Sequence, residues 1–278
     1  MAQYAKVIAD SVSAAGKRIV TLELCYQRFI HSEVMTHRVF SRNAMSSRAI
    51  PVAKMIEQVR SQPAMPLHWG ANRPGMRAHE EVKDKEMAAD LWCRAAACAA
   101  DIADQMNAIG LHKQVANRIL EPFQWMRTIV TATEWDNFFE LRDHEDAEPN
   151  FQNLARLMRE AVAASTPVKR ESPRDWTLPA EHCWHLPYVT AEERRLVNVD
   201  LLPKISAARC ARVSYLTHDG ENPDLVKDLL LFERLVGSEP MHASPIEHQA
   251  VPFDSTYYPS RNFRGWKQFR ETYEHEKA

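Results

Sequence analysis

The chain has 278 residues, a formal net charge of −2 and a pI near 6.6, so its overall charge gives no attraction to a nucleic-acid polymer, whereas a mononucleotide would need only a local basic pocket. This length can bury a sizeable core as one large domain or two small ones. No apolar run approaches the roughly 18 residues of a membrane span, and the N-terminus lacks the basic-then-apolar pattern of a secretory signal, so the expected location is the cytoplasm. The five cysteines, Cys25, Cys93, Cys98, Cys183 and Cys210, are odd in number and scattered, which suits reduced thiols. Glu181-His182-Cys183-Trp184-His185 could supply metal ligands, but no second ligand pair stands at zinc spacing and no metal is expected.

Residues Arg18 to Tyr26 alternate, with Val20, Leu22, Leu24 and Tyr26 on one face, and predict a half-buried strand. Ser32 can cap a short helix carrying Glu33, Thr36 and His37. The stretch from Ala44 to Arg77, with four prolines, reads as an extended excursion over the surface. A long helix is expected from Glu80 to Ile109, stopping at Gly110. A second runs from His112 to Leu120, with Val115 and Ile119 sharing a buried face. A third spans about Asn150 to Ala164, with Phe151, Leu154, Leu157, Met158 and Val162 along one stripe. Residues 166–203, with mixed charge and five prolines, read as a linker. Beyond it Asn222 caps a helix with Pro223 at its first position, running to about Val236. The tail Ser260 to Ala278 interleaves Arg261, Arg264, Lys267 and Arg270 with Phe263, Trp266 and Phe269; it either packs against the body or forms a basic lid over a phosphate.

The segment Thr36 to Arg48 packs Arg38, Arg42, Arg48, His37, Asn43 and the serines Ser41, Ser46 and Ser47 into a short run with few apolar side chains. Guanidinium forks suit phosphate, and Ser and Asn add short neutral hydrogen bonds, so the segment suits an anion; the alternative is a solvated basic loop. This run resembles the R-H-R-x7-S signature of the flavin-dependent thymidylate synthases, with His37, Arg38 and Ser46 in register. Other blocks are similar to the same family in a different order. Ala211-Arg212-Val213-Ser214-Tyr215 resembles its A-R-V-S-F block, and Met241-His242-Ala243-Ser244-Pro245-Ile246-Glu247-His248 its H-E-[ST]-P-F-E-H block. Arg118-Ile119-Leu120-Glu121-Pro122 and Asn137-Phe138-Phe139-Glu140-Leu141-Arg142 resemble R-x-x-L-P and N-F-L-x-L-R. The order is that of a circular permutation within one domain over 1–278: strand, signature and helices in 1–165, the linker 166–203, and the permuted block with the tail in 204–278.

The resemblance implies an α+β fold with a small antiparallel sheet and a large helical layer, assembled as a homotetramer with active sites between subunits. It implies FAD as cofactor, NADPH and methylenetetrahydrofolate as co-substrates, and transfer of a one-carbon unit to C5 of the deoxynucleotide dUMP. Carried onto this chain, His37, Arg38, Asn137, Ser214, Ser244, Glu247 and His248 line the flavin site, while Ser46, Arg48, Arg118 and Arg142 hold the nucleotide. Arg142 matches the arginine that contacts the pyrimidine, and His242 a histidine near the reacting flavin; an ion pair of Arg142 with Glu140 or Asp143 is the plainer alternative. Ser46, without a spaced His/Asp partner, reads as a phosphate contact rather than a nucleophile.

Departures from the pattern bear on the substrate. Thr36 replaces the first arginine, Ala44 an acidic residue, and Thr131 and Thr133 an Asn and an Arg, while Glu33 stands where the family has a glutamine. A carboxylate can accept from an exocyclic amine, as from cytosine N4, so Glu33 joins the substrate-binding set and the alternatives are dCMP as substrate or a hydroxymethyl product. A flavin- or nucleotide-binding protein without catalysis is the reading from another class.

Overall fold

The computed structural model describes residues 1–74, 79–173, 180–213, 224–253 and 259–277. Strand β1 (Tyr4–Ser13) turns at Gly16, whose φ of 81° favours glycine, into β2 (Arg18–Gln27), the strand expected from alternation. A 3-10 turn (Arg28–Ile30) leads into α1 (His31–Val34) and β3 (Ser41–Ala44). The cap position of α1 is Ile30, without a side-chain bond, and Ser32 lies inside the helix rather than capping it. Residues expected as an extended excursion contain α2 (Val52–Ser61), which buries Val52, Met55, Ile56 and Val59, spaced for one helical face.

Helix α3 (Lys85–Ala108) starts where the Asp84 side chain accepts from the Met87 amide, and Gly110, with φ of 81°, follows its end. The single helix expected over 112–120 is instead α4 (Lys113–Ala116) followed by a 3-10 stretch (Asn117–Phe123). Pro122 has no amide to donate, and the tighter repeat rotates the side chains, so Val115 is exposed while Ile119 stays partly buried. Next come β4 (Trp125–Ala132), α5 (Asp136–Arg142) and α6 (Pro149–Ala164). Glu148 caps α6 by accepting from the Phe151 amide, and Phe151, Leu154 and Met158 are buried as expected.

Residues 166–203, expected as a linker, carry β5 (Val168–Arg170), α7 (Ala180–Cys183), α8 (Ala191–Leu196) and the start of α9 (Leu202–Arg212), and they bury His185 and Leu186. Helix α10 (Leu225–Val236) is capped by Asp224; Asn222 and Pro223, the expected cap and first position, lie outside the described residues. A 3-10 turn (Ser244–Glu247) precedes β6 (Ala250–Pro252), β7 (Pro259–Ser260), β8 (Phe263–Arg264), β9 (Trp266–Gln268) and α11 (Phe269–Lys277).

The main sheet has the order β3-β4-β2-β1-β5 and is antiparallel except for β5, which runs parallel to β1, so the fold is α+β with a small sheet and a large helical layer. Val20, Leu22, Leu24 and Tyr26 face a core built with α2, α3, α5 and α6. The other face of β2 is not solvated, as a half-buried strand would require. Ile19 packs on Ala250, Phe263 and Trp266, and the neighbouring Ile129 packs on Cys210 and Val213. The C-terminal third of the chain thus covers the second face of a sheet built by the first half. The tail packs against the body: Trp266 is fully buried, Arg261 pairs with Glu274, and Arg270 pairs with Glu247 and Glu274.

Candidate active site

The signature segment wraps β3, which pairs only with β4 and forms one edge of the main sheet. Before it, Thr36 ends α1: its amide and hydroxyl both donate to the Glu33 carbonyl, at 3.1 and 2.7 Å. His37 then turns inward onto the rings of Phe40, Phe138 and Phe151. Arg142, at the end of α5, donates from Nε to His37 Nε2 at 3.0 Å, and its guanidinium carbon lies 5.1 Å from the centre of the Phe151 ring. A guanidinium can only donate, so the neutral imidazole carries its proton on Nδ1. Burial first, then the charges of Arg142 and Arg42, push the His37 pKa down to about 4.

Neither acidic neighbour takes Arg142. Asp143 pairs with Arg156 and Arg159, and Glu140 is exposed. Glu33 is half-buried in the same surroundings; burial and the nearby Glu148 raise its pKa, and Arg142 opposes them. Arg42 donates to the carbonyls of Met35 and His37 at 2.6 and 3.2 Å, bracing the turn that carries His37.

The C-terminal turn meets the signature at β3. Ser244 Oγ donates to Asn43 Oδ1 at 2.9 Å across 201 residues of sequence, and Asn43 Nδ2 donates to the Cys210 carbonyl at 2.9 Å. Glu247 accepts from Arg270 at 2.6 Å, and Arg42 senses the Glu247 charge. On the other side of β3, Glu121 collects Arg28 at 2.8 Å, Arg118 at 2.9 Å and Ser47 at 3.3 Å on one oxygen. His31, whose pKa is pushed down to about 4 by burial and then by Arg28 and Arg42, lies between these two groups.

The matching family model is that of the thymidylate synthase complementing proteins, and it covers residues 16–168, more than half the chain. The chain belongs to this family. The match starts at the turn into β2 and ends at β5, so it takes in the signature, Arg118 and Arg142 but not the Ser244 to His248 turn. Among solved structures, the chain is similar to a UMP/dUMP methylase, PolB, from Streptomyces cacaoi bound with 5-Br dUMP, at 15% identity and a TM-score of 0.49, covering 58% of this chain and 90% of that one. The same methylase bound with 5-Br UMP gives 16% identity and a TM-score of 0.48, covering 58% and 89%. No curated protein sequence matches the chain.

In this member of the thymidylate synthase complementing family, the residues singled out from sequence divide into three sets. His37, Glu33 and Arg142 come together, and Ser244 bonds Asn43 on the edge strand β3. Arg38, Arg48 and Asn137 are exposed, and their side chains make no hydrogen bond or ion pair among the described residues, while Ser46 is half-buried two positions before Arg48. The remaining residues are otherwise committed. Arg118 is held by Glu121 and Glu247 by Arg270, and His242 is exposed near the end of α10. His248 does not line a surface site: it is 0% exposed, with Nδ1 2.8 Å from Thr131 Oγ1. Ser214 lies outside the described residues. His185, weighed as a metal ligand, instead bonds Ser11 and Thr21 through its two ring nitrogens.

Sequence reasoning missed Asn43 as the joint between the two blocks and Glu121 as the acceptor of two arginines. Glu121 stands three residues after Arg118, a helical pairing distance that was visible in the sequence. Nothing local announced Asn43, whose partners are distant.

Proposed function

We propose that this protein transfers a one-carbon unit to C5 of a pyrimidine deoxynucleotide monophosphate, with dUMP as substrate, FAD as cofactor, and methylenetetrahydrofolate and NADPH as co-substrates. The observation that carries the reading is the His37–Arg142 pair: a guanidinium half-buried beside the matched signature, whose Nη groups bond no described residue. A pyrimidine C5 is a poor nucleophile, and a cation near the ring oxygens stabilises the negative charge that builds up as it attacks. Attack at C6 by a thiolate would not come from Cys25, Cys183 or Cys210, whose thiols burial pushes up, Cys25 to about 11, and the other two cysteines, Cys93 and Cys98, are exposed on α3, outside the Arg142 cluster.

Arg38 and Arg48 suit phosphate by the same argument, since an exposed guanidinium without a protein partner is available to a phosphorylated ligand. Arg38 and Asn137 are the residues of the flavin set available to hold FAD. His37, by its depressed pKa, stays neutral and orients Arg142 through Nε2, and Ser46 is a further phosphate contact. The flavin, when bound, supplies the one-carbon carrier and the hydride. Exposed arginines at an open sheet edge also fit a site completed by another subunit, in keeping with a homotetramer.

A second reading, dCMP as substrate or a hydroxymethyl product, is favoured by Glu33, whose carboxyl group lies in the field of Arg142 and can accept from a cytosine amine. Turnover of dUMP and dCMP with reduced FAD and methylenetetrahydrofolate tests both, with Glu33→Gln as the discriminating variant. Preference for dUMP unaltered by E33Q removes the dCMP reading. Inactivity with both nucleotides defeats the enzyme reading and leaves a flavin- or nucleotide-binding protein without catalysis.

A further inference from the structure

Three donors converge on one oxygen of Glu121: the Arg28 guanidinium at 2.8 Å, the Arg118 guanidinium at 2.9 Å and the Ser47 hydroxyl at 3.3 Å. The R-x-x-L-P pattern that Arg118 opens has leucine at this position, so the carboxylate is a departure of this chain. A leucine could pack there but could accept none of the three bonds. The side chains of Glu121 and Arg28 are 25% and 13% exposed, which shelters their pair from water. Arg118 is different: its side chain is 54% exposed, and its Nε and Nη2 bond no described residue.

The 3-10 stretch that carries Glu121 also holds the loop that follows β3. The Met45 amide donates to the Arg127 carbonyl at 2.8 Å as the pairing of β3 with β4 ends, and the Ala49 amide closes a turn on the Ser46 carbonyl at 3.0 Å. Asn117 Nδ2 donates to the carbonyls of Ser47 and Ile50 at 2.7 and 3.0 Å, and Lys113 Nζ to that of Ala49 at 3.2 Å. These bonds fix the backbone of the loop. Glu121 then ties a side chain of the loop to a cation outside it, because Ser47 and Arg118 meet on the same oxygen. Ser46 and Arg48 flank Ser47 in the chain, so both phosphate contacts of this loop stand next to the anchored residue.

We propose that Glu121 is the positioning residue for the phosphate end of the site: it holds Arg118 and the Ser46 to Arg48 loop in one arrangement around the phosphate of the nucleotide. This inference rests on the reading of the site as one for a pyrimidine nucleotide monophosphate. Groups already held in the bound arrangement lose less conformational freedom when the ligand arrives, so removing Glu121 should weaken binding of the phosphate. Charge alone gives the opposite sign, since a carboxylate beside the phosphate repels it and its removal would tighten binding. The sign of the effect therefore separates positioning from charge.

The experiment measures, by calorimetry on the full-length protein, the binding of dUMP and of deoxyuridine, which lacks the phosphate, with KM and kcat for dUMP beside it. Wild type is compared with Glu121→Leu, Glu121→Gln and Ser47→Ala. E121L should lose about tenfold or more in dUMP affinity, while E121Q, which keeps one acceptor oxygen, and S47A, which keeps the arginine pairs of Glu121, should each lose about threefold. Deoxyuridine affinity and kcat should stay within roughly twofold, so the loss appears in KM. S47A leaves Arg28 paired and reads the loop even if E121L does not fold. Tighter dUMP binding in E121Q would make Glu121 a counter-charge and overturn the proposal. So would dUMP affinity unchanged in both E121Q and S47A, or an equal loss for dUMP and deoxyuridine, the mark of a merely structural role. Wild-type protein that binds dUMP no better than deoxyuridine would overturn the phosphate reading itself, and the proposal with it.

Discussion

Replacing Arg142 by methionine keeps an apolar stem beside Phe151 and removes both the cation and the donor to His37. The bond from Arg142 Nε to His37 Nε2, 3.0 Å long, exists only while Nε2 is unprotonated. A hydrogen bond from a charged donor is worth about 1.5–3 kcal/mol, and 1.36 kcal/mol corresponds to one pKa unit, so its loss should raise the His37 pKa by roughly 1–2 units from about 4. The residual depression comes from burial and Arg42, which the substitution leaves in place. In turnover, losing the group that stabilises charge on the pyrimidine should cost on the order of 3 kcal/mol, or roughly a hundredfold in kcat. Titrating the His37 ring protons by NMR beside steady-state kinetics reads both effects on one sample. A His37 pKa still near 4 in the variant would mean that burial alone sets it. Unchanged kcat would remove Arg142 from the chemistry.

Acid should destabilise the protein steeply. His31, His37, His185 and His248 all have folded pKa values below the ordinary 6.5. The unfolded chain therefore binds more protons between about pH 4 and 6.5, and stability rises with pH through that window. Four such groups give a slope of about 5 kcal/mol per pH unit near pH 5, and a flat urea midpoint from pH 6.5 to 5 would contradict their assignment as buried and neutral. Arg38→Gln and Arg48→Gln should leave thermal stability within about 0.5 kcal/mol while weakening nucleotide binding about tenfold each; the reverse pattern, read by calorimetry, would make them structural. Asp228, 1% exposed, accepts from Arg209 at 2.8 Å and Arg212 at 2.7 Å and ties α9 to α10. Asp228→Asn should cost about 3–5 kcal/mol in urea unfolding, because Arg212 loses its carboxylate and the buried Arg209, still paired with Glu193, loses one of its two, and a loss under 1 kcal/mol would show that water replaces it.

What could be read from sequence was local. The alternation of β2, the stop of α3 at Gly110, the apolar stripe of α6 and the signature run all depend on near neighbours. Strand β1 escaped notice because the register slips between Val7 and Ala9, which interrupts the period of two that reveals a strand. Helix α2 was hidden by the surrounding prolines although Val52, Met55, Ile56 and Val59 carry its spacing. The second face of β2 was illegible for another reason: Thr21 reads as polar and solvated, yet His185, 164 residues away, hydrogen-bonds it in the interior. At the site, matched motifs marked His37 and Arg142 separately, whereas their contact, the burial of His248 and the capture of Arg118 by Glu121 depend on tertiary packing that no motif encodes.

A run of buried hydrogen bonds ties the Ser244 to His248 turn to the main sheet. The His248 ring bonds Thr131, which bonds Thr21 of β2, so the turn lies two hydrogen bonds from the start of that strand. Ser244 on Asn43 and Arg270 on Glu247 pin it further, to β3 and to the tail. Side-chain hydrogen bonds between residues far apart in sequence thus hold the C-terminal turn in place. For that reason Thr21→Val and Thr131→Val together should loosen the Ser244 to His248 turn more than any change at the exposed arginines, with faster amide exchange over 244–248 as the measurement and unchanged exchange as the result that would refute it.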